Sequence, residues 1–256
     1  MSGPDATAPQ VDVAPFDLGE PDAALGALCL HGLTGTPYEV RPLGEALARA
    51  GVRAVGPTLP GHDATPAELA KLRYTAWLEA VRGELRGLRR QHERVLVVGL
   101  SLGGLLGLML AAEEPVDGLV VVGTPLRLPG PARWLVPMLK YPMPYLRKRG
   151  GSDVQDEAAR RRHPSYPVMP LASVHQLIRL QVRVRQALPR VTAPLLVAHG
   201  LHDRTARPED ARTILGAVGS PVRELLWLED SGHVVPVDFG GPRLAEAVVA
   251  HLSRLA

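Results

Sequence analysis

A single serine lies between glycines in the stretch GLSLGG, residues 99–104, which follows one apolar run and precedes another. Gly99 and Gly103 stand two residues before and two residues after Ser101. Small residues at these positions let a strand and a helix approach closely across a sharp turn that holds the serine in a strained conformation. The spacing therefore predicts a nucleophile elbow that presents Ser101 to a carbonyl carbon.

A serine hydroxyl is a weak nucleophile at neutral pH, so it needs a base within hydrogen-bonding reach and a group that orients this base. Asp203 ends the stretch HGLHD after a late apolar run, and His233 ends the stretch EDSGH after the next run. Serine, acid and histidine in this chain order form one of the established triad arrangements. The sequence thus predicts that His233 takes the proton of Ser101 and that Asp203 fixes the imidazole tautomer.

Neighbouring side chains offer alternatives to this assignment. Asp230 and Asp238 flank His233 and could orient it instead. His199 and His202, together with the acid that follows them, form a weak metal-ligand pattern because no second cluster accompanies them. Without the serine motif, His233 would be interpreted as an exposed loop histidine.

Acyl chemistry also requires backbone N–H groups aimed at the negative charge that develops on the carbonyl oxygen. Leu102 follows the serine at the predicted start of a helix and supplies one such group. The second is expected in a loop after an early strand, and HGLTGTP, residues 31–37, is such a loop. Leu33 is the predicted donor.

The elements that position these groups are short apolar runs alternating with helix-like stretches. Continuous apolar strands separated by helices indicate a parallel sheet covered on both faces, and thus an α/β fold. Thr65, Pro66 and Glu68 form a helix start, with a capping residue, a proline and an acid in the first turn. The predicted strands are 25–30, 52–55, 95–98, 119–122, 195–198 and 225–228, and the predicted helices are 39–50, 75–91, 171–188, 208–217 and 242–255.

One stretch, residues 125–170, breaks the alternation. It contains nine prolines, too many for a long regular helix, together with four of the ten aromatic residues and three of the five methionines. One interpretation is a cap whose side chains, among them Trp134, Met138 and Tyr141, line an adaptable apolar substrate pocket. The other is a satellite core under a long surface excursion. We expect a single domain, 1–256, that carries this insertion at about 125–170.

Composition excludes several classes of protein. A net charge of +3 on 256 residues is too small for a nucleic-acid-binding protein, although residues 126–163 hold nine Arg or Lys against three acids. Basic charge beside apolar side chains would suit weak contact with an anionic lipid interface, and a solvated basic face is the alternative. Cys29 is the single cysteine, which excludes an intramolecular disulfide and a thiolate-rich metal site. Its apolar surroundings predict a buried, inert thiol.

No targeting or membrane-spanning segment is visible in the sequence. The first twenty residues contain acids and prolines but no basic region followed by an apolar stretch, so no secretory signal is predicted. Nowhere do about 18 consecutive apolar residues occur, which excludes a transmembrane helix. We expect a cytoplasmic protein, and nothing in the sequence sets an oligomeric state.

Five motifs together resemble a known family: HGLTGTP, LPGHDATPAEL at 59–69, GLSLGG, HGLHDR and SGHVV. Their order is that of bacterial α/β-hydrolase carboxylesterases of the monoacylglycerol lipase type. The resemblance runs from about residue 24 to the end, and GSDV at 151–154 and LASVHQLIRLQ at 171–181 look like the small cap of that group.

The resemblance implies an α/β-hydrolase fold, with a mostly parallel sheet, helices on both faces and a small cap insertion. It implies no cofactor and a small-molecule substrate, either a short- to medium-chain acyl ester or a monoacylglycerol. By position, Ser101, Asp203 and His233 match the family's triad, and Leu33 and Leu102 match its oxyanion donors. Leu33 stands where the family often has an aromatic residue, which predicts an acyl pocket of different shape.

The same triad also serves thioester, lactone and carbon-carbon bond hydrolysis, so these reactions are alternatives. A ligand receptor that kept the fold without turnover is a further alternative, from a different class of protein. A serine nucleophile argues against the dehalogenase and epoxide hydrolase branches of this fold, which use aspartate.

Overall fold

A computed structural model describes residues 11–128, 130–148 and 150–252 of the chain. The strands are, in chain order, β1 (Phe16–Leu18), β2 (Leu25–Leu30), β3 (Arg53–Gly56), β4 (Arg94–Leu100), β5 (Gly118–Val122), β6 (Tyr145–Arg147), β7 (Val168–Pro170), β8 (Leu195–Gly200) and β9 (Arg223–Leu228). The helices are α1 (Arg41–Arg49), α2 (Pro66–Lys71), α3 (Tyr74–Arg89), α4 (Leu102–Glu113), α5 (Ala132–Leu139), α6 (Glu157–Arg162), α7 (Leu171–Ala187), α8 (Pro208–Ala217) and α9 (Gly241–Leu252).

Seven of these strands form one sheet in the order β1-β3-β2-β4-β5-β8-β9. β1 runs antiparallel to β3, and every other neighbouring pair is parallel. The central strands β2, β5 and β8 are buried along their whole length, because side chains alternate between two faces and both faces are covered. The mostly parallel sheet with helices on both faces is therefore confirmed.

Two hydrophobic cores flank this sheet. Helices α1 and α9 pack on one face, against residues such as Ala27 and Cys29, and α3, α4, α7 and α8 pack on the other, against residues such as Leu28 and Leu30. Cys29 is fully buried, and this burial raises the pKa of its thiol to about 12. The thiol is thus protonated and inaccessible, as the sequence predicted.

The predicted helix and strand positions agree closely with the structure. The Thr65 hydroxyl accepts from the Glu68 N–H at 3.2 Å, which confirms the predicted start of α2. The predicted extension of the last helix to Leu255 lies outside the described residues. No helix among the described residues has both the length and the apolar character needed to cross a bilayer.

The stretch 125–170 folds into α5, α6 and the antiparallel pair β6 and β7. In its described part no helix exceeds eight residues, and Pro137 interrupts the hydrogen bonding of α5. Pro129 and Arg149, which belong to the prolines and cations counted in this stretch, lie outside the described residues. We refer to residues 125–170 as the cap.

The parallel sheet brings the predicted reactive residues to one edge. Leu33 follows β2, Ser101 follows β4, Asp203 follows β8 and His233 follows β9. Because the carboxyl ends of parallel strands meet at the same edge, the four loops are neighbours, and ligands of open α/β sheets bind at this edge.

Candidate active site

Ser101 occupies a sharp turn between β4 and α4. Its φ of 55° and ψ of −111° lie in a region that non-glycine residues rarely adopt. A Cβ atom at Gly103 would lie 2.1 Å from the carbonyl oxygen of Leu30, and one at Gly99 would lie 2.3 Å from the carbonyl oxygen of Gly103. Both glycines are therefore required by close backbone contacts, and the turn has the elbow geometry that the spacing predicted.

The loops after β8 and β9 bring the other two predicted residues to this serine. His233 Nε2 lies 2.9 Å from Ser101 Oγ, and His233 Nδ1 lies 2.9 Å from Asp203 Oδ2. An ionised carboxylate only accepts hydrogen bonds, so Nδ1 carries the proton and Nε2 presents its lone pair to the serine hydroxyl. This tautomer suits transfer of the hydroxyl proton to Nε2.

Burial and charge act in opposite directions on the acid and the base. Burial alone would raise the pKa of Asp203, but His233 and His199 hold this pKa well below its usual range. Burial alone would lower the pKa of His233, but the Asp203 carboxylate raises it above its usual value. Asp203 is therefore ionised at neutral pH, and its charge stabilises the imidazolium that proton transfer creates.

Neither of the alternative acids reaches the imidazole of His233. Asp230 is exposed. Asp238 is buried, and its carboxylate accepts from the backbone N–H groups of Gly232 and Gln155, each at 2.8 Å. Asp238 thus fixes the backbone of the histidine loop instead of the ring.

The histidines of the alternative metal pattern point in different directions. His199 is buried and faces Asp203, whereas His202 is exposed. Within the described parts of the chain, no group of three or more His, Cys, Asp or Glu side chains has the arrangement of a metal site.

Asp153 from the cap links the acid loop to the histidine loop. Its carboxylate accepts from the backbone N–H of Arg204 at 2.8 Å, and its carbonyl oxygen accepts from the backbone N–H of His233 at 2.9 Å. Asp153 was not among the predicted site residues. Its only signal was its place in the GSDV motif, since an isolated acid in an irregular stretch has no periodicity to indicate burial.

The loop that carries Leu33 is fixed by His31. The N–H of Leu59 donates to His31 Nε2 at 3.0 Å, so His31 Nδ1 carries the proton and donates to the Gly32 carbonyl at 2.9 Å. In a trans peptide the N–H points away from the preceding carbonyl, so the Leu33 N–H is directed away from His31. Among the described residues no acceptor is hydrogen-bonded to this N–H. Leu33 and Ser101 line the same cavity.

Leu102 is the first residue of α4, where backbone N–H groups have no partner within the helix. The positive end of the helix dipole adds to the effect of this N–H on a nearby anion. In the part of the chain that the structure describes, neither the Leu33 N–H nor the Leu102 N–H donates to a backbone carbonyl.

Glu39 holds the Leu33 loop from the interior of the protein. Its Oε2 accepts from the Gly32 N–H at 2.8 Å, and its Oε1 lies 3.1 Å from His163 Nε2 of the cap. Burial alone would raise the pKa of Glu39, but His163 and the other partners lower it to about 2. The sequence pattern indicates only a helix that begins at Glu39 and gives no sign of this role, because an acid in a first helical turn is a common surface feature.

A cavity of about 660 Å³ opens over Ser101 and His233. This volume lies within the usual range of small-molecule sites. Its lining includes apolar side chains, which we call the apolar wall, among them Leu33, Leu128, Met169, Val174 and Leu177. It also includes polar side chains, which we call the polar wall, among them Glu39, Lys148, Ser152, His163 and Ser165. The cavity therefore offers contacts both for an apolar chain and for a polar group.

The three cap residues predicted to bind substrate are not part of this wall. Trp134, Met138 and Tyr141 are 67%, 72% and 79% exposed. In α5 it is Val136 that faces inward, and residues 134 and 138, one turn apart, share the opposite face. The cap therefore contributes Leu128 and Met169 to the cavity in their place, which corrects the prediction.

Seven large apolar side chains in the described part of the cap are exposed, and we call this set the cap patch. Its members are Trp134, Leu135, Met138, Tyr141, Met143, Tyr145 and Leu146, all at least 40% exposed. Cations accompany them: the Arg133 guanidinium lies 4.7 Å from the Trp134 ring centre, and Lys140 Nζ lies 4.8 Å from that of Tyr141.

Comparison with known proteins agrees with this geometry. The sequence profile of the alpha/beta hydrolase family matches residues 27–247. A thermostable monoacylglycerol lipase from Bacillus sp. (strain H-257) is 31% identical over 223 residues, which are 87% of this chain and 88% of that protein. A carboxylesterase from Bacillus subtilis (strain 168) is 30% identical over 225 residues, 88% of this chain and 89% of that protein.

A solved structure from work on LipS and LipT, two metagenome-derived lipolytic enzymes, has the same fold. It matches with a TM-score of 0.88 and 30% sequence identity, and the match covers 94% of this chain and 98% of the other.

Proposed function

The chain belongs to the alpha/beta hydrolase family, and we propose that it is a serine carboxylester hydrolase in which Ser101 is the nucleophile and His233 its base. The observation that carries the proposal is the hydrogen-bonded series Ser101, His233 and Asp203, of which Ser101 and His233 line the cavity. Asp203 is ionised, and its contact with His233 Nδ1 favours the tautomer that can accept the serine proton.

In the acylation step Ser101 Oγ attacks the ester carbonyl while its proton moves to His233 Nε2. A bond forms between Oγ and the carbonyl carbon, and the carbonyl oxygen becomes an oxyanion. We propose that the N–H groups of Leu33 and Leu102 receive this charge. Collapse of the intermediate breaks the ester bond, and the imidazolium of His233 returns the proton to the departing alcohol.

Hydrolysis of the acyl-enzyme repeats the same steps with water. His233 Nε2 removes a proton from the attacking water, the same two N–H groups stabilise the second oxyanion, and the acid leaves as Ser101 regains its proton. Asp203 holds the imidazole in one tautomer throughout and stabilises its charged form.

We propose short- to medium-chain acyl esters and monoacylglycerols as substrates. The apolar wall supports an acyl chain, and the polar wall supports an alcohol that carries hydroxyl groups. The names of the two relatives, a monoacylglycerol lipase and a carboxylesterase, support the same classes.

The decisive experiment compares the wild type with Ser101→Ala on aryl esters of increasing acyl length and on a monoacylglycerol. We expect the variant to lose about 10⁴- to 10⁶-fold in kcat, as comparable triads do. Ser220→Ala is the control, because among the described residues the Ser220 hydroxyl donates only to the carbonyl of Val222. Covalent labelling by a fluorophosphonate should require Ser101.

Two other outcomes of this experiment would change the proposed nucleophile or the proposed substrate class. Wild-type activity in Ser101→Ala would remove Ser101 as nucleophile. Labelling of Ser101 without turnover of any ester would favour a thioester, lactone or carbon-carbon substrate, or a non-catalytic receptor.

Weak contact of the cap with an anionic lipid surface is part of the proposal. The cap patch combines apolar side chains with Arg133 and Lys140, and each cation near such a surface contributes about 1 kcal/mol. Binding to phosphatidylglycerol vesicles should exceed binding to phosphatidylcholine vesicles and fall in Trp134→Ser. Phe239→Ser, which removes an exposed aromatic residue outside the cap, is the matched control. Equal binding to both kinds of vesicle would contradict contact of the cap with an anionic lipid surface.

The cytoplasmic location of the protein stays a prediction.

A further inference from the structure

Thr34, the residue after the proposed oxyanion donor Leu33, has an unusual backbone. Its φ is 64°, a left-handed value that β-branched residues rarely adopt, and only 1% of its surface is exposed. Such a conformation persists only where surrounding contacts hold it. The contacts of Thr34 therefore bear directly on where the Leu33 N–H points.

Three cap residues supply these contacts. The backbone N–H of Tyr166 donates to the Thr34 carbonyl at 3.3 Å, and the Ser165 hydroxyl donates to the same carbonyl at 3.2 Å. Lys148 Nζ donates to the Thr34 hydroxyl at 2.6 Å and to the Ser165 hydroxyl at 2.5 Å. Both polar groups of Thr34 are thus tied to the cap, through residues more than 100 positions away in the chain.

The ammonium group of Lys148 sets the direction of these hydrogen bonds. It has three donors and no acceptor, so each hydroxyl that it contacts must accept from it and send its own proton elsewhere. The Thr34 hydroxyl then donates to the Leu33 carbonyl at 2.5 Å, and the Ser165 hydroxyl donates to the Thr34 carbonyl. One cation thereby fixes two successive carbonyl groups of the loop.

We propose that Lys148 is a positioning residue that holds the Leu33 N–H in place for the oxyanion and so couples the cap to the catalytic step. This inference rests on the proposed function, in which Leu33 is an oxyanion donor. His31 fixes the peptide before Leu33, and the Lys148 contacts fix the peptide after it. Without Lys148 the two hydroxyls can rotate, and of the contacts of Thr34 with the cap only the Tyr166 N–H keeps a fixed direction.

Lys148 makes no ion pair with a carboxylate among the described residues, and its charge is directed at hydroxyl groups beside the cavity. Burial lowers the pKa of Lys148, while the nearby charge of Glu39 opposes this effect. Because Lys148 also lines the cavity, the rival role is direct binding of substrate. The two roles differ in kinetics, since positioning affects the transition state and substrate binding affects KM.

The test compares Lys148→Met with Arg147→Met, a matched control that removes an exposed cation at the adjacent position. Both are assayed on p-nitrophenyl butyrate, with active sites counted by fluorophosphonate titration. We expect Lys148→Met to lower kcat about 10- to 100-fold with KM changed less than about twofold, because the oxyanion donor is displaced but not removed. A trifluoromethyl ketone, which forms an oxyanion on Ser101, should lose affinity by the same factor. Arg147→Met should change none of these values.

Two further variants make the result independent of the folding of Lys148→Met. Thr34→Val keeps the branched shape, removes the hydroxyl and should also lower kcat with little change in KM. In a background of Thr34→Val and Ser165→Ala, which lacks both hydroxyls, Lys148→Met should cost less than about twofold more, because coupled residues are not additive. Thermal unfolding of each variant reports on its folding.

A raised KM with unchanged kcat would overturn the inference in favour of substrate binding, and unchanged values of both would remove any role for Lys148. Failure of the proposed function would be seen separately, because Ser101→Ala would then keep its activity. If Ser101→Ala is inactive while Lys148→Met matches the wild type, only the inference on Lys148 fails.

Discussion

His199 and Asp203 face each other in the core, with His199 Nε2 3.0 Å from the same Asp203 oxygen that accepts from His233. The other oxygen of Asp203 accepts from the backbone N–H groups of Thr205 and Ala206 at 2.8 and 2.7 Å. Three donors other than His233 therefore hold the carboxylate. Its orientation does not depend on His233, and it can act as a fixed reference for the imidazole.

Asp203→Asn tests whether this carboxylate orients the base. An amide can donate to His233 Nδ1 and so stabilise the tautomer that carries its proton on Nε2, which cannot accept from Ser101. We expect kcat to fall about 10⁴-fold on an aryl ester, as in comparable triads. Asp230→Asn, which changes an exposed acid three residues before His233, should remain within about twofold. A larger loss in Asp230→Asn than in Asp203→Asn would mean that the acid is misassigned.

The pH dependence of kcat/KM follows from the same contact. Ser101 requires neutral His233. Burial lowers the pKa of His233, but Asp203, with smaller contributions from Asp153 and Glu39, raises it, so that this pKa lies above the usual 6.5. The rate should therefore rise with pH, with the midpoint of the acid limb above 6.5. In Asp203→Asn the acid limb should move to lower pH, because the carboxylate that contributes most to raising the His233 pKa is gone. The measurement is a profile of kcat/KM from pH 5 to 9. A wild-type midpoint below 6.5 would contradict the assignment of His233, paired with Asp203, as the base.

The main sheet could be predicted from sequence because its central strands are apolar on both faces. The run 25–30 agrees residue for residue with β2, and the other predicted strands differ from those observed by one to two residues at an end. β1, β6 and β7 were not predicted, since three residues are too few for a period to emerge. Their pairing depends on tertiary contacts.

The reactive residues were predictable to the extent that strand ends mark them. Ser101, Asp203 and His233 each follow an apolar run, and the structure brings the three together. Trp134 was predicted to line the pocket from composition alone. Composition does not tell which face of an eight-residue helix such as α5 is turned inward. Lys148 gave no signal, because a lysine in a basic stretch is normally solvated and only the folded cap buries it against Thr34.

Val174 offers a test of the cavity as the acyl site. It lies on α7 and lines the apolar wall, so Val174→Phe should fill space that a long acyl chain needs. We expect kcat/KM for an octanoate ester to fall about tenfold relative to acetate, since a few methylene groups in an apolar pocket are worth about 1–3 kcal/mol. Val182→Phe, on the same helix but 41% exposed, is the matched control. A parallel fall for acetate and octanoate would place the acyl chain elsewhere.

Gly103→Ala tests whether the elbow depends on close backbone contact. The added Cβ would lie 2.1 Å from the Leu30 carbonyl oxygen, so α4 must move away from β2. Overpacking of this kind costs about 1–3 kcal/mol in the free energy of unfolding. A shift of about 1 Å at Ser101 should also lower kcat/KM about 10²-fold, because alignment with His233 is lost.

Gly83→Ala is the matched control for this prediction. Gly83 lies on the exposed face of α3, and a Cβ there would meet no atom within 4 Å beyond the backbone of its own helix and its chain neighbours. Alanine should raise the free energy of unfolding by about 1 kcal/mol, since glycine is the poorer helix former, and should leave kcat/KM unchanged. Urea unfolding and ester hydrolysis measured on both variants separate the two effects. If Gly103→Ala were as stable and active as the wild type, the approach of strand and helix would not be what holds Ser101 in its strained conformation.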